Sequence, residues 1–199
     1  MFGFLRKVAG RINRQAGLSV QRTYLYRISR PDEFSAAAAA RPTLSWEPLS
    51  PEQTGRLLDI GPFDVKDGLQ RLRRGDRCYT VYAGERLAHY SWVQRSASHP
   101  ITEAGLSVPV GSGEFWIYHC RTAEWARGKG IYPATLERIV NEHFEAGYHT
   151  AWIYTSRENI ASQKGILRAG FHQVATLDAF RVGSHYFRIG RVNQPPFPF

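Results

Sequence analysis

Between residues 114 and 177 the chain alternates strand-forming runs with helical patterns, and this alternation limits the possible folds more than any other feature. Three runs rich in β-branched and aromatic residues predict strands: 114–122 (EFWIYHCRT), 149–156 (HTAWIYTS) and 171–177 (FHQVATL). Two stretches between them predict helices: 130–147 and 158–170. A crossover through a helix makes two strands parallel, so we expect 114–122 and 149–156 to be parallel neighbours in one sheet.

The preceding segments predict antiparallel strands and two more helices. Residues 77–94 hold two strand-forming runs on either side of a turn at Gly84, which is typical of a hairpin. Single strands are predicted at 21–29 and 184–192, and helices at 51–60 and 64–75. The fold class is therefore α/β (α+β): a mixed, mostly antiparallel central sheet with a central parallel strand pair, flanked by helices.

The N-terminal part differs in composition from the rest. The first 30 residues contain seven arginines or lysines and no acidic residue, and residues 1–17 have helical amphipathic spacing. Such a helix could contact anionic lipid, pack on the domain, serve in a homodimer or form part of a transit peptide. Residues 34–43 predict a linker or a surface helix. We therefore divide the chain into a basic extension and linker (1–42) and one domain (43–199).

Charge and cysteine content narrow the functional classes. The 26 basic and 17 acidic residues give a net charge of +9, which fits nucleic acid, anionic lipid or a phosphorylated ligand. The basic residues are dispersed, without the aromatic interleaving of a nucleic-acid groove, so no nucleic-acid partner is expected. Two distant cysteines fit a reducing cytoplasm, and neither they nor the seven histidines have metal-ligand spacing. No apolar run predicts a membrane span or a secretory signal.

The stretch EWARGKGIYP (124–133) lies where a predicted strand ends and a helix begins. At a helix start, unpaired N–H groups and the helix dipole favour a bound phosphate. Gly128 and Gly130 let the main chain approach a ligand closely, while Arg127 and Lys129 add positive charge. The pattern predicts a phosphate-binding turn, although by itself it is also compatible with an ordinary loop.

A second motif lies about 30 residues further on. RGKGIYPATL followed by NIASQKGILRAGF resembles the GNAT superfamily of acyl-CoA-dependent N-acyltransferases. The first stretch matches that family's pyrophosphate loop as Arg127-Gly128-Lys129-Gly130-Ile131. The second matches its N-x-x-A…GF segment as Asn159, Ser162, Gly170 and Phe171. The resemblance extends from about residue 43 to the C-terminus.

The resemblance implies coenzyme A as the anion, with acetyl-CoA as the acyl donor and no metal. In this family the two parallel strands splay apart, and the pantetheine arm bonds main-chain groups near the end of the first strand, here Cys120, Arg121 and Thr122. Asn159 would contact the same arm, assisted by Ser162. The alternative for Asn159 is a cap on its own helix.

Glu114 lies thirteen residues before Arg127, a spacing similar to that of the general-base glutamate in the histone-acetyltransferase branch. A carboxylate there would take the proton that an ammonium must lose before attack. The alternative is that Glu114 simply ends a strand. Two positions depart from the family: Ile166 replaces the usual proton-donating tyrosine, for which Tyr118, Tyr154 or water could substitute, and Tyr132 replaces a small residue. Cys120 is better explained as a structural cysteine than as a nucleophile.

The implied activity is acetyl transfer from acetyl-CoA to a primary amine of a small molecule, by direct transfer in a ternary complex. A looser similarity to GNAT proteins of bacterial surface-polysaccharide biosynthesis predicts an amino sugar acceptor, with a nucleotide-linked sugar as one form of it. It also predicts a cytoplasmic protein that touches the inner membrane face through residues 1–17. The alternatives are a non-catalytic acyl-CoA sensor or scaffold, and a protein or polyamine acetyltransferase.

Overall fold

In the computed structural model, residues 18–30, 44–95, 98–182 and 185–189 are described. Their main feature is an eight-stranded sheet in the order β10-β9-β1-β8-β7-β4-β3-β2. Its strands are β1 (Leu18–Ser29), β2 (Leu44–Pro48), β3 (Arg77–Ala83), β4 (Arg86–Gln94), β7 (Glu114–Thr122), β8 (Thr150–Ser156), β9 (His172–Val182) and β10 (His185–Ile189). A separate two-stranded hairpin consists of β5 (Ser98–Ile101) and β6 (Leu106–Pro109).

Three α-helices are described: α1 (Val65–Arg73), α2 (Ile131–Glu145) and α3 (Ile160–Arg168). Helix α1 begins at Asp64, whose side chain accepts hydrogen bonds from the main-chain N–H groups of Lys66 and Asp67, satisfying two donors that lack helical partners. Three 3-10 helices complete the structure, at Pro51–Ile60, Thr102–Ala104 and Glu124–Ala126.

The predicted fold class is confirmed. Strands β7 and β8 are parallel neighbours, and every other strand pair in the two sheets is antiparallel. The hairpin of β3 and β4 turns at Gly84, as predicted. The crossover from β7 to β8 passes through α2, which buries Leu136, Ile139, Val140 and Phe144 in one core cluster with Phe115, Ile117 and Ile153. This packing fixes α2 and its first turn against the end of β7.

Several sequence predictions need correction. Strand β1 lies inside the segment assigned to an extension, but it pairs with both β8 and β9 and buries Leu25 and Tyr26. The folded sheet therefore includes residues before 43, because β1 fills the position between β8 and β9. Strands β2, β5 and β6 were not predicted. The helix at 51–60 is a 3-10 helix. The predictions for residues 1–17 and for 34–43 fall outside the described residues.

Candidate functional site

The site lies where β7 and β8 separate. Their parallel pairing covers Glu114 to Trp116 on β7 and Thr150 to Trp152 on β8, and it ends there although both strands continue. On the other side of β7, the register with β4 shifts between Tyr90 and Trp92, and nearby His119 has a φ of 45°. Positive φ at a residue other than glycine is uncommon, and a bulge bends the bulged strand. The bend turns the end of β7 away from β8 and leaves a gap.

One cavity of about 740 Å³ occupies the loop side of this gap, and we call it the loop cavity. Nine of the ten residues predicted to bind the cofactor line it: Cys120, Arg121, Thr122, Arg127, Gly128, Gly130, Ile131, Asn159 and Ser162. The tenth, Lys129, does not line it; its ammonium lies 5.2 Å from the centre of the Trp125 ring. The structure thus brings together main-chain and side-chain groups from β7, the following turn and α3.

The turn before α2 has the backbone that its glycines predict. Gly128 and Gly130 have φ values of 75° and 70°, in the left-handed region that glycine adopts at little cost. Helix α2 has no side-chain cap and no acidic residue in its first turn. The helix dipole at this end is therefore not offset by a carboxylate of the helix itself.

The charges around the loop cavity are of one sign. Four basic side chains line it: Arg121, Arg127, Lys164 and Arg168. None of the described residues lining it is acidic. Arg127 has an ion pair with Glu124 at 3.6 Å, but both side chains are largely exposed, so the pair contributes little. A cavity with this lining favours an anionic ligand such as a phosphate.

Helix α3 begins at Asn159, whose Oδ1 accepts a hydrogen bond from the Ser162 N–H at 3.1 Å. The alternative considered for Asn159, a cap on its own helix, is therefore present. Both residues also line the cavity, so the cap holds the asparagine side chain at the cavity wall. A role for either residue in binding the pantetheine arm remains a prediction.

A second cavity, of about 480 Å³, opens on the other side of the gap, and we call it the cleft cavity. Four residues line both cavities: Cys120, Tyr132, Asn159 and Ser162. The Tyr132 hydroxyl lies 3.3 Å from the Ser162 Oγ, and burial raises its pKa well above the ordinary value, so it keeps its proton. Burial also raises the pKa of Cys120 to about 12, which makes a nucleophilic thiolate at neutral pH unfavourable.

The cleft cavity has a more balanced set of charges. Arg71 forms an ion pair with Asp67 and lies 2.7 Å from the His119 Nδ1. Arg74 contacts the Asp76 carboxylate at 2.6 Å, and the Tyr118 hydroxyl donates to that carboxylate at 2.5 Å. The other ionisable residues that line the cavity are His99, Glu103 and Tyr154. Sequence reasoning did not identify α1, His99 or Glu103 as parts of a site, because no motif links these segments.

The structure does not bring Glu114 to either cavity. Its Oε2 accepts hydrogen bonds from the Trp152 Nε1 at 3.1 Å and from the Gly111 N–H at 3.3 Å. Trp152 stacks on Trp116, which stacks on His99, and only His99 of these lines the cleft cavity. A row of rings thus lies between Glu114 and the cavity; the role of Glu114 as the base stays a hypothesis from the sequence, and this separation disfavours it.

The described part of the chain contains no group of three or more His, Cys, Asp or Glu side chains arranged to hold a metal ion. None of its helices has the length and apolar character needed to cross a membrane.

Comparison with known proteins identifies the fold. No family model and no curated protein matches the sequence. Among solved structures, a GCN5-related N-acetyltransferase from Sphaerobacter thermophilus is 15% identical with a TM-score of 0.60, over 93% of this chain and 58% of that one. A GNAT-family acetyltransferase from Colwellia psychrerythraea is 14% identical with a TM-score of 0.58, over 87% and 57%.

A putative GNAT-family acetyltransferase from Novosphingobium aromaticivorans is 12% identical, with a TM-score of 0.56 over 80% of this chain and 63% of that one. This chain therefore spans less than two thirds of the length of these three structures. TM-scores of 0.56 to 0.60 at such low identity are a likeness of fold. The chain has the fold of the GNAT acetyltransferases.

Proposed function

We propose that this protein is an N-acetyltransferase that moves an acetyl group from acetyl-CoA to a primary amine of a small molecule by direct transfer in a ternary complex. The observation that carries the proposal is the gap between β7 and β8, at which the cationic loop cavity and the cleft cavity adjoin and share four lining residues. A donor with phosphates at one end and a reactive group at the other fits such a pair of adjoining cavities. Acetyl-CoA supplies the acetyl group as a thioester.

The residues present fit coenzyme A. The Gly128–Gly130 turn and the start of α2 would hold the pyrophosphate, while Arg121, Arg127, Lys164 and Arg168 provide positive charge along the same wall. Main-chain groups of Cys120, Arg121 and Thr122 on β7 have no partner strand on the β8 side, so they could bond the amides of the pantetheine arm. Each of the two volumes lies in the range that is typical of ligand sites, about 300–1,000 Å³.

The usual tyrosine on α3 is absent, and Ile166 at that position is fully buried in the core. Tyr132 supplies a phenol from α2 instead. Its hydroxyl lies at the wall shared by both cavities and remains protonated. We therefore propose that Tyr132 stabilises the departing thiolate by donating a hydrogen bond to it.

An amino sugar remains the proposed acceptor class. The rings of Tyr118, Tyr154 and His99 line the cleft cavity and could pack against a sugar ring, while Arg71 and Arg74 could meet a linked diphosphate. Both arginines already have acidic partners, so the free sugar fits the charges at least as well as a nucleotide-linked one. Contact of residues 1–17 with a membrane and a homodimer remain proposals.

The test is a screen of acceptors with detection of released thiol, using nucleotide-linked amino sugars, free amino sugars, polyamines and lysine peptides. Amine-dependent thiol release with the largest kcat/KM for an amino sugar supports the proposal. A dominant kcat/KM for a polyamine or peptide would refute the sugar acceptor. Tight acetyl-CoA binding without turnover on any amine would favour a sensor.

A further inference from the structure

The neighbours of the buried His99 ring determine which of its two nitrogens carries the hydrogen. Gln94 uses its Nε2 to donate to the Ser98 carbonyl at 3.0 Å, so its Oε1 is the oxygen that faces His99 Nδ1 at 2.7 Å. An amide oxygen can only accept, and His99 Nδ1 must therefore carry the hydrogen. Since a neutral imidazole has one N–H, Nε2 is left with a lone pair. Burial lowers the pKa of His99 to about 3, which keeps the ring neutral at neutral pH.

The lone pair on Nε2 lacks a donor. His99 is 1% exposed, lines the cleft cavity, and its Nε2 has no hydrogen-bond partner among the described residues. A buried acceptor left without a donor destabilises the folded protein. The ring is held firmly, since it stacks on Trp116 with centroids 4.8 Å apart. A donor from a ligand would remove this cost.

Glu103 provides a second acceptor in the same place. It lines the cleft cavity, and its Oε2 is buried without a hydrogen-bond partner in the described part of the chain. Both side chains border Tyr154: the His99 and Tyr154 ring centroids are 5.9 Å apart, and burial, the Glu103 charge and a hydrogen bond with the Glu103 side chain raise the pKa of the Tyr154 hydroxyl. His99 and Glu103 therefore lie on either side of Tyr154 in the lining of the same cavity.

The charges of the other cavity residues do not satisfy Glu103. Arg71 is paired with Asp67, and Arg74 with the buried Asp76. Within the described ranges, no ion pair involves Glu103. A ligand group that satisfies both Glu103 and His99 needs several N–H donors and one positive charge. A primary ammonium has both properties.

We propose that the ammonium of the acceptor docks between Glu103 and His99, where Glu103 Oε2 pairs with its charge and His99 Nε2 accepts one of its N–H bonds. Both residues would determine specificity in the reaction proposed above. That the bound amine is the acceptor rests on this proposed function. The ammonium site itself stands on the geometry of the cleft cavity. It selects amines over alcohols, because a hydroxyl brings no charge to Glu103.

Binding can be measured without turnover. Protein carrying ¹⁵N-labelled histidine is titrated with methylammonium chloride and, as a matched probe of equal charge without N–H donors, tetramethylammonium chloride at constant ionic strength. We expect methylammonium alone to shift the His99 Nε2 resonance, which His99→Asn identifies, since asparagine retains a donor toward Gln94 and lacks Nε2. Glu103→Gln should weaken the methylammonium response at least tenfold, and Glu85→Gln, an exposed turn carboxylate, should leave it unchanged.

An unshifted His99 Nε2, an equal response to both probes, or a wild-type response in Glu103→Gln would overturn the ammonium site. Kinetic measurements then distinguish a failure of the ammonium site from a failure of the proposed transferase activity. With an active acceptor, Glu103→Gln should raise the KM for the amine about tenfold and leave calorimetric acetyl-CoA binding within twofold. Turnover with an unchanged KM for the amine in Glu103→Gln would refute the site and keep the transferase. Methylammonium binding without turnover on any amine would keep the site and refute the transferase.

Discussion

The ring of Tyr132 packs directly on the backbone of Gly165: a Cβ placed on Gly165 would lie 2.5 Å from Tyr132 Cδ1. Glycine inside a helix usually destabilises it relative to alanine by roughly 0.5–1 kcal/mol. Here the missing side chain makes room for a large ring at the wall between the two cavities. The glycine of α3 and the tyrosine of α2 thus form one structural unit.

Gly165→Ala should therefore destabilise the protein by about 1–3 kcal/mol, since an added methyl in a packed site forces its neighbours to move. It should also weaken acetyl-CoA binding, because Tyr132, which lines both cavities, must move. Urea unfolding and calorimetry measure the two effects. Adding Tyr132→Ala should relieve part of the clash, giving a favourable coupling in the double-mutant cycle. Gly55→Ala is the control, because Gly55 is exposed and a Cβ added there would have no atom within 4 Å. This variant should lose neither stability nor acetyl-CoA affinity.

Replacing Gly128 and Gly130 together by valine should abolish coenzyme A binding while the protein remains folded. Bulky residues disfavour the left-handed backbone of the turn, and their side chains would occupy the approach to the start of α2. Calorimetry measures the affinity for coenzyme A, and circular dichroism shows whether the variant is folded. Gly84→Val is the control, because Gly84 has a φ of 62° in the β3–β4 turn and no neighbour within 4 Å. Unchanged affinity in the folded double variant would refute this assignment of the loop.

Glu114→Gln tests the base predicted from the sequence. Its carboxylate lies outside both cavities and accepts from Trp152 and Gly111, so we expect turnover to stay within a few-fold of wild type. The amide oxygen of glutamine can keep the bond to Trp152, which limits the loss of stability to about 1 kcal/mol. Steady-state rates across pH decide the matter. A fall in kcat of about 100-fold or more with a flattened acidic limb would establish Glu114 as the base.

Acid should destabilise the protein in the range where free histidine titrates. Burial lowers the pKa of His89 to about 3, of His99 to about 3 and of His143 to about 4. In the unfolded chain these histidines protonate near pH 6.5, whereas in the folded protein they stay neutral to lower pH. Their contribution to the free energy of unfolding is therefore fully present above pH 6.5 and is lost progressively as the pH falls below it.

The limiting slope is about 1.4 kcal/mol per pH unit for each such histidine. Urea midpoints measured from pH 7.5 to pH 5 should therefore decrease, and His143→Phe should make the decrease shallower. Phenylalanine suits this position because the ring stacks on Phe115 at 4.3 Å. His172→Gln, which changes an exposed histidine, should reproduce the wild-type curve. A midpoint that is flat down to pH 5 in the wild type would contradict the prediction.

The sequence by itself determined the local elements around the loop cavity. The helical spacing of 130–147, the glycines of the turn and the strand-forming run 114–122 each depend on residues within a few positions of one another. The helical crossover between β7 and β8 then makes these two strands parallel. The motifs in these local elements carry the resemblance to the GNAT superfamily that implies the ten cofactor residues, and nine of the ten meet at one cavity.

Only the tertiary structure decided the cleft cavity and the position of β1. Strand β1 finds its partners more than 120 residues away along the chain, in β8 and β9, and no local pattern specifies them. His99, Glu103 and the α1 arginines come together through the bend in β7 and the packing of the β5–β6 hairpin. Glu114 had the spacing of a base, yet the tryptophan stack of β7 and β8 separates it from the cavity. Contacts between distant segments depend on the whole core, and the periodicity of any one segment does not encode them.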